Sequence, residues 1–170
     1  MMVQTAPYSD QAAMAILSRL DPWDLLEVET GAGTHLDHLG LFALWRALLP
    51  GCFDCLVIAD RGEPFALLAI LRTGAHGVGS AALIARDHIR FRRGMVRLAR
   101  MIAARIAVWA AEHGLCRIEV RSWERHPRAA AFLTACGFTL EATLAGFGRD
   151  GADRFLQFAW VAAPTAERGT

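Results

Sequence analysis

Phe91-Arg-Arg-Gly-Met-Val-Arg-Leu98 sets three arginines around a glycine, where a short apolar run hands over to a long helical pattern. A glycine at a strand-to-helix turn lets the backbone come close to a phosphate. Flanking guanidiniums suit the same anion, and a helix start adds free N–H groups and the positive end of the helix dipole. Arg92, Arg93, Gly94 and Arg97 are therefore candidate phosphate contacts. The alternative is a solvated basic face, because Arg93, Arg97 and Arg100 share one side of the helix. Cys52-Phe-Asp-Cys55 has metal-ligand spacing. It lacks a second such pair, and His35 and His38 lie a helix away, so ordinary strand residues and no metal are expected. The arginines between Arg86 and Arg105 are not interleaved with aromatics, which argues against nucleic acid as a partner.

The elements that must position this turn can be read along the chain. Ser80 to Ala85 is an apolar run of strand length. The helix after it lasts to about His113, where Gly114 stops it. Cys116 to Arg121 alternates as a second strand. His126 to Phe138 is a short helix ended by Gly137. Upstream, Ser9 or Asp10 caps a helix to about Leu20, Asp21-Pro22 breaks it, and Trp23 to Thr30 fits either a short helix or a strand. Thr34 then caps a second amphipathic helix, ended by Pro50-Gly51. Cys55 to Ala59 and Phe65 to Arg72 form a hairpin around Asp60-Arg-Gly-Glu-Pro64. Leu140 to Gly146 and Arg154 to Val161 form a closing antiparallel pair.

At 170 residues, with 54% hydrophobic residues and a net charge of +1, the chain reads as one well-packed domain over residues 1–161 with a short polar tail at 162–170. The balance gives no global pull toward nucleic acid or acidic surfaces. All 18 basic side chains other than histidine are arginines, which excludes Schiff-base chemistry on an internal lysine. The opening residues lack a charged and apolar leader pattern, and the most apolar helix is interrupted by Arg105. No membrane association and a cytoplasmic location are expected. Four cysteines in apolar segments fit reduced core thiols.

The stretch from about Leu56 to Trp160 resembles the Gcn5-related N-acetyltransferase superfamily. Arg93-Gly94 matches that family's Gln/Arg-x-x-Gly-x-Gly/Ala loop, and Ala129, Ala130 and Gly137-Phe138 match its later Asn-x-x-Ala…Tyr-x-x-x-Gly-Phe helix. Asp24-Leu-Leu-Glu-Val-Glu-Thr-Gly31 followed by the Gly-Glu-Pro hairpin also resembles acetyltransferase-like proteins of tailed bacteriophages. The resemblance implies an α/β fold with a mixed, mostly antiparallel central sheet flanked by helices. It implies transfer of an acetyl or acyl group from acetyl-CoA to a small-molecule or protein amine. The phage-type likeness implies the alternative of a non-catalytic protein that works in a virion or its assembly, with phage structural proteins as partners.

By the same resemblance, Ala85, Arg92, Arg93, Gly94, Met95, Val96 and Arg97 would hold the cofactor. Phe91 and Val96 stand where the loop pattern has Gln/Arg and Gly/Ala, and a β-branched Val96 is expected to crowd the pyrophosphate. Leu133 occupies the place of the family's acidic tyrosine, and His126 that of its asparagine. Cys136 or Thr134 is then the nearby candidate proton donor. Asp87, His88 and Glu119 are the candidate general bases. Histidine has the right ordinary pKa for that task.

Overall fold

The computed structural model describes residues 3–163. The expected tail at 162–170 falls almost wholly outside them. Seven strands form one sheet in the order β1-β2-β3-β4-β5-β7-β6. They are β1 (Gln4–Pro7), β2 (Cys52–Asp60), β3 (Glu63–Arg72), β4 (Val78–Ala85), β5 (Arg117–Trp123), β6 (Thr139–Phe147) and β7 (Asp153–Val161). Only β4 and β5 run parallel; every other neighbouring pair is antiparallel. The helices are α1 (Asp10–Leu17), α2 (Pro22–Ala32), α3 (His38–Leu48), α4 (Arg92–Glu112) and α5 (Ala129–Ala135). No helix among the described residues is long and apolar enough to cross a membrane.

The hairpin β2–β3 turns on Arg61 and Gly62, both with positive φ (54° and 81°), the geometry that matches the twist of a two-residue connection. β4 cannot reach its parallel neighbour by a short turn, so α4 supplies the crossover. Gly114, at φ +66°, ends α4 as expected. Leu98, Ile102, Ile106 and Trp109 of α4 lie on one side of the sheet, with Ile58, Phe65, Leu68, Ile118 and Val120 beneath them. On the other side α1 and α3 bring Ile16, Leu17, Leu41 and Trp45 against Val57, Leu67, Ala69 and Ile84. The sheet thus separates two cores.

Two local expectations are corrected, the end of the first helix and the cap of the third, and two segments are settled. β1 is a strand that the sequence did not signal; all its residues are exposed, so no side-chain alternation marks it. α1 stops at Leu17. Trp23 to Thr30 is helix, because Asp21 caps the Trp23 N–H at 3.0 Å and Pro22 suits the first turn. α3 is capped by Asp37 through the Gly40 N–H at 2.7 Å, not by Thr34.

Candidate active site

β4 and β5 pair only at Val78–Arg117, Gly79–Ile118 and Ser80–Glu119. Beyond Ser80, β4 stays bonded to β3 and β5 to β7, so the two central strands part. The gap opens a cavity of about 1380 Å³ that reaches both faces of the sheet. Alternate residues of β4 face opposite sides. Ala81 and Leu83 pack toward the α4 core, Ala82 and Ile84 toward the α3 core. Arg92, Met95, Val96, Phe132 and Leu133 line the α4–α5 half; Glu27, Val28, Leu44 and Leu48 line the α2–α3 half.

The arginine turn is mostly occupied with its own fold. Arg97 Nη2 donates to both oxygens of Asp60 at 2.7 and 2.8 Å. Arg86 is buried, bonds the Pro64 carbonyl at 2.8 Å and pairs with Glu63, which also takes Arg90. Arg93 is exposed and away from the cavity wall. Gly94 is a packing residue: a Cβ there would lie 3.2 Å from the Phe65 ring and 3.4 Å from Asp60 Cβ. Its missing side chain lets α4 sit on the β2–β3 hairpin. Ala85 spends its N–H on Asp24 Oδ2 at 2.7 Å and its carbonyl on the Asp21 N–H at 2.9 Å. What remains for an anion is the start of α4, which no side chain caps, with Arg92, Met95 and an exposed Val96 on the cavity wall.

Opposite that turn, α2 carries the site's acidic groups. Asp24 is buried and has Oδ1 3.1 Å from His126 Nε2 and 3.0 Å from His88 Nε2. The His88 approach is too oblique for a hydrogen bond, so charge carries that contact. His126 Nδ1 accepts the Arg128 and Ala129 N–H groups at 3.2 and 3.0 Å, capping α5 and assigning the ring proton to Nε2. Asp24, His88 and His126 offer potential ligand atoms within 4.8 Å of one another. With Nδ1 of His126 already an acceptor, its Nε2 donates to Asp24, and His88 joins that pair by charge.

The charges follow from this packing. Burial favours protonation of Asp24, but pairing with His126 and His88 and the Ala85 N–H hold it below the ordinary carboxylate range. Burial disfavours the charged form of His88, but Asp24 and then Asp21 raise it above the ordinary imidazole value, against Arg128. The backbone N–H of His88 donates to Asp21 Oδ2 at 2.8 Å. Burial pushes Glu27, one turn after Asp24, up to about 7; His126 and the Trp123 N–H oppose the shift and Asp24 adds to it.

The remaining candidates are scattered. Asp87 is exposed, at φ +24°, and accepts the Arg90 N–H at 2.9 Å. Glu119 is on the cavity wall but pairs with Arg117 Nε at 2.7 Å. Cys136 lies in the α4-side core and off the cavity wall, its thiol pushed up to about 12 by burial. Thr134 donates to the Ala130 carbonyl at 3.0 Å. Cys55 accepts from Trp45 Nε1 at 3.3 Å, a packing contact. Two residues went unread in the sequence. Glu27 was signalled only by its spacing three after Asp24. Ser122 is 1% exposed and lines the cavity, and its hydroxyl has no partner among the described residues. By alternation from Ile118 and Val120, it faces the α4–α5 half.

No family profile and no curated protein matches the chain. Solved structures do match in three dimensions. The ribosomal-protein-S18-alanine N-acetyltransferase from Escherichia coli superposes with a TM-score of 0.68 at 12% identity, over 99% of each chain. A GNAT-family acetyltransferase from Bacillus anthracis gives 0.72 at 9% identity, over 95% of each. The yncA protein of Salmonella typhimurium, solved with its cofactor acetyl-CoA, gives 0.65 at 12% identity, over 100% of this chain and 99% of that one. The parted parallel strands, the crossover α4 and the closing β6–β7 pair are thus the fold of the Gcn5-related N-acetyltransferases.

Proposed function

We propose that the protein transfers an acetyl group from acetyl-CoA to an amine in the gap between β4 and β5. The observation that carries this reading is the gap itself, open to an uncapped helix start on one face and to a raised carboxylate, Glu27, on the other. The pyrophosphate would lie on the first turn of α4, beside Arg92. The Ala85 backbone groups point into the gap, so those of Leu83, two residues earlier, do so as well. They are placed to pair with the cofactor arm and polarise the thioester carbonyl.

The amine nitrogen attacks the carbonyl carbon, the carbon–sulfur bond breaks, and the amine proton passes to Glu27. A base with a pKa near the working pH takes that proton most efficiently. His88, paired with Asp24, holds α2 in place. The leaving thiolate would accept a hydrogen bond from Ser122, in the absence of a tyrosine at Leu133. A purely structural role, which the phage-type resemblance implies, leaves the half-buried carboxylate without a cation and the free hydroxyl on one cavity without a purpose.

Calorimetric titration with acetyl-CoA tests the placement. Val96→Glu, at an exposed position beside the helix start, should weaken binding by at least about tenfold by facing phosphate with a carboxylate. Unchanged affinity in that variant would refute the site. Gly94→Glu cannot serve here, because Phe65 fills the space it would need.

A further inference from the structure

We infer that the acceptor is a primary amine on an apolar body with no second positive charge. This rests on the acetyl-transfer reading and narrows it. α3 presents Leu41, Leu44, Trp45 and Leu48 at helical spacing to the cavity. Leu41 and Trp45 are 5% exposed each and belong to the core, whereas Leu44 and Leu48 are 44% and 38% exposed. Val28 and Ile84 continue the same wall. Two uncovered leucines on a concave wall favour a ligand that removes them from water.

The charges on that wall limit the ligand further. Three carboxylates reach the cavity from α2 and β5: Asp24, Glu27 and Glu119. Asp24 lies between two imidazoles, and Glu119 is held by Arg117 at 2.7 Å. Glu27 has no ion-pair partner among the described residues and is half-buried. Arg121, on the same strand face as Glu119, adds a positive charge and is oriented by Gln157 Oε1 at 2.9 Å. One ammonium can therefore be matched, beside Glu27. A second would sit on leucines or near Arg121, uncompensated. Polyamines and aminoglycoside-like polycations are disfavoured; an alkyl or aryl monoamine fits.

Hexylamine and 1,6-diaminohexane provide the test, since they share a length and differ by one ammonium; ethylamine gives the short reference. With acetyl-CoA, kcat/KM for hexylamine should exceed that for ethylamine by about 10–100-fold, from the added buried methylenes. It should exceed that for the diamine by at least about tenfold, the cost of an unmatched charge. Leu44→Glu, an exposed change, should reverse the hexylamine–diamine preference. Amine binding to the CoA complex, read by calorimetric titration, separates the two claims. Saturable hexylamine binding without product would keep the apolar monoamine site and overturn the transfer reading. Product formed equally or faster from the diamine would keep transfer and overturn this inference. Neither binding nor product from hexylamine would overturn both.

Discussion

The arginine turn at the start of α4 and the acidic helix α2 face the same gap, and they divide the work opposite to their appearance in the sequence. The turn looks like chemistry, yet Arg86, Arg90 and Arg97 are spent on Glu63 and Asp60, and Gly94 is spent on Phe65. The α2 segment reads in the sequence as either a short helix or a strand and carries no assigned chemistry, yet it buries Asp24 and lifts Glu27 to about 7. A guanidinium on a surface finds a carboxylate cheaply. A carboxylate kept off water without a cation is costly, and such a cost is tolerated mainly where a shifted pKa is used.

The comparison breaks first at Glu27. Glu27→Gln should lower kcat by about 10²–10⁴-fold, the usual worth of a positioned base, while acetyl-CoA affinity stays within a factor of about two of wild type. It should also stabilise the fold. A carboxyl raised from 4.5 to about 7 on folding loses stability as pH rises through that window. Above pH 7 the amide variant should therefore unfold at higher urea, by about 1–3 kcal/mol. A variant both inactive and less stable would make Glu27 a structural residue like those of the turn.

Asp24→Ala comes next. It strips the partner from two buried imidazoles and from the Ala85 N–H, and should cost about 3–5 kcal/mol in urea unfolding. The cost should be greatest at intermediate pH. Asp24 is held low in the folded state, so its support is present above its ordinary 3.8 and fades as pH falls through the lowered value. His88 is raised, so its support is present below its ordinary 6.5 and fades as pH rises through the folded value. Arg97→Ala, on the other side of the comparison, opens a partly exposed pair with Asp60 and should cost only about 1 kcal/mol. Equal losses would erase the contrast.

Smaller effects sharpen the division further. Ser122→Ala should reduce kcat by about 3–10-fold through one lost hydrogen bond, with the melting temperature unchanged or higher, because the hydroxyl has no partner in the free protein. Arg93→Glu, off the cavity wall, should leave acetyl-CoA affinity within about twofold, against the larger loss in Val96→Glu.

Much of the fold was legible because its cues were local. Apolar runs and their bounding turns marked β2 to β4, alternation marked β5, Gly114 stopped α4, and the long helix between Ser80 and Cys116 implied a crossover to a parallel strand. β1 was hidden because its four residues are all exposed and pair only through backbone. The site was harder to read. The fate of Arg97 depends on Asp60, 37 residues away, and that of Asp24 on His126, 102 residues away. Gly94 was marked as a place for close approach, and in the structure the Phe65 ring lies against it. His88 stood out by residue type, yet the carboxylates that raise its pKa, Asp24 and Asp21, lie on α2 and at its cap.

The pH dependence of transfer, with and without Glu27, tests the central claim most directly. Aniline is a suitable acceptor because it is already neutral across the range, so the acceptor itself adds no titration. Wild-type kcat/KM should climb with pH on a limb centred about 7, where burial has placed the Glu27 carboxyl, and Glu27→Gln should lose both the limb and most of the rate while still binding acetyl-CoA. The same limb persisting at undiminished rate in Glu27→Gln would contradict the account.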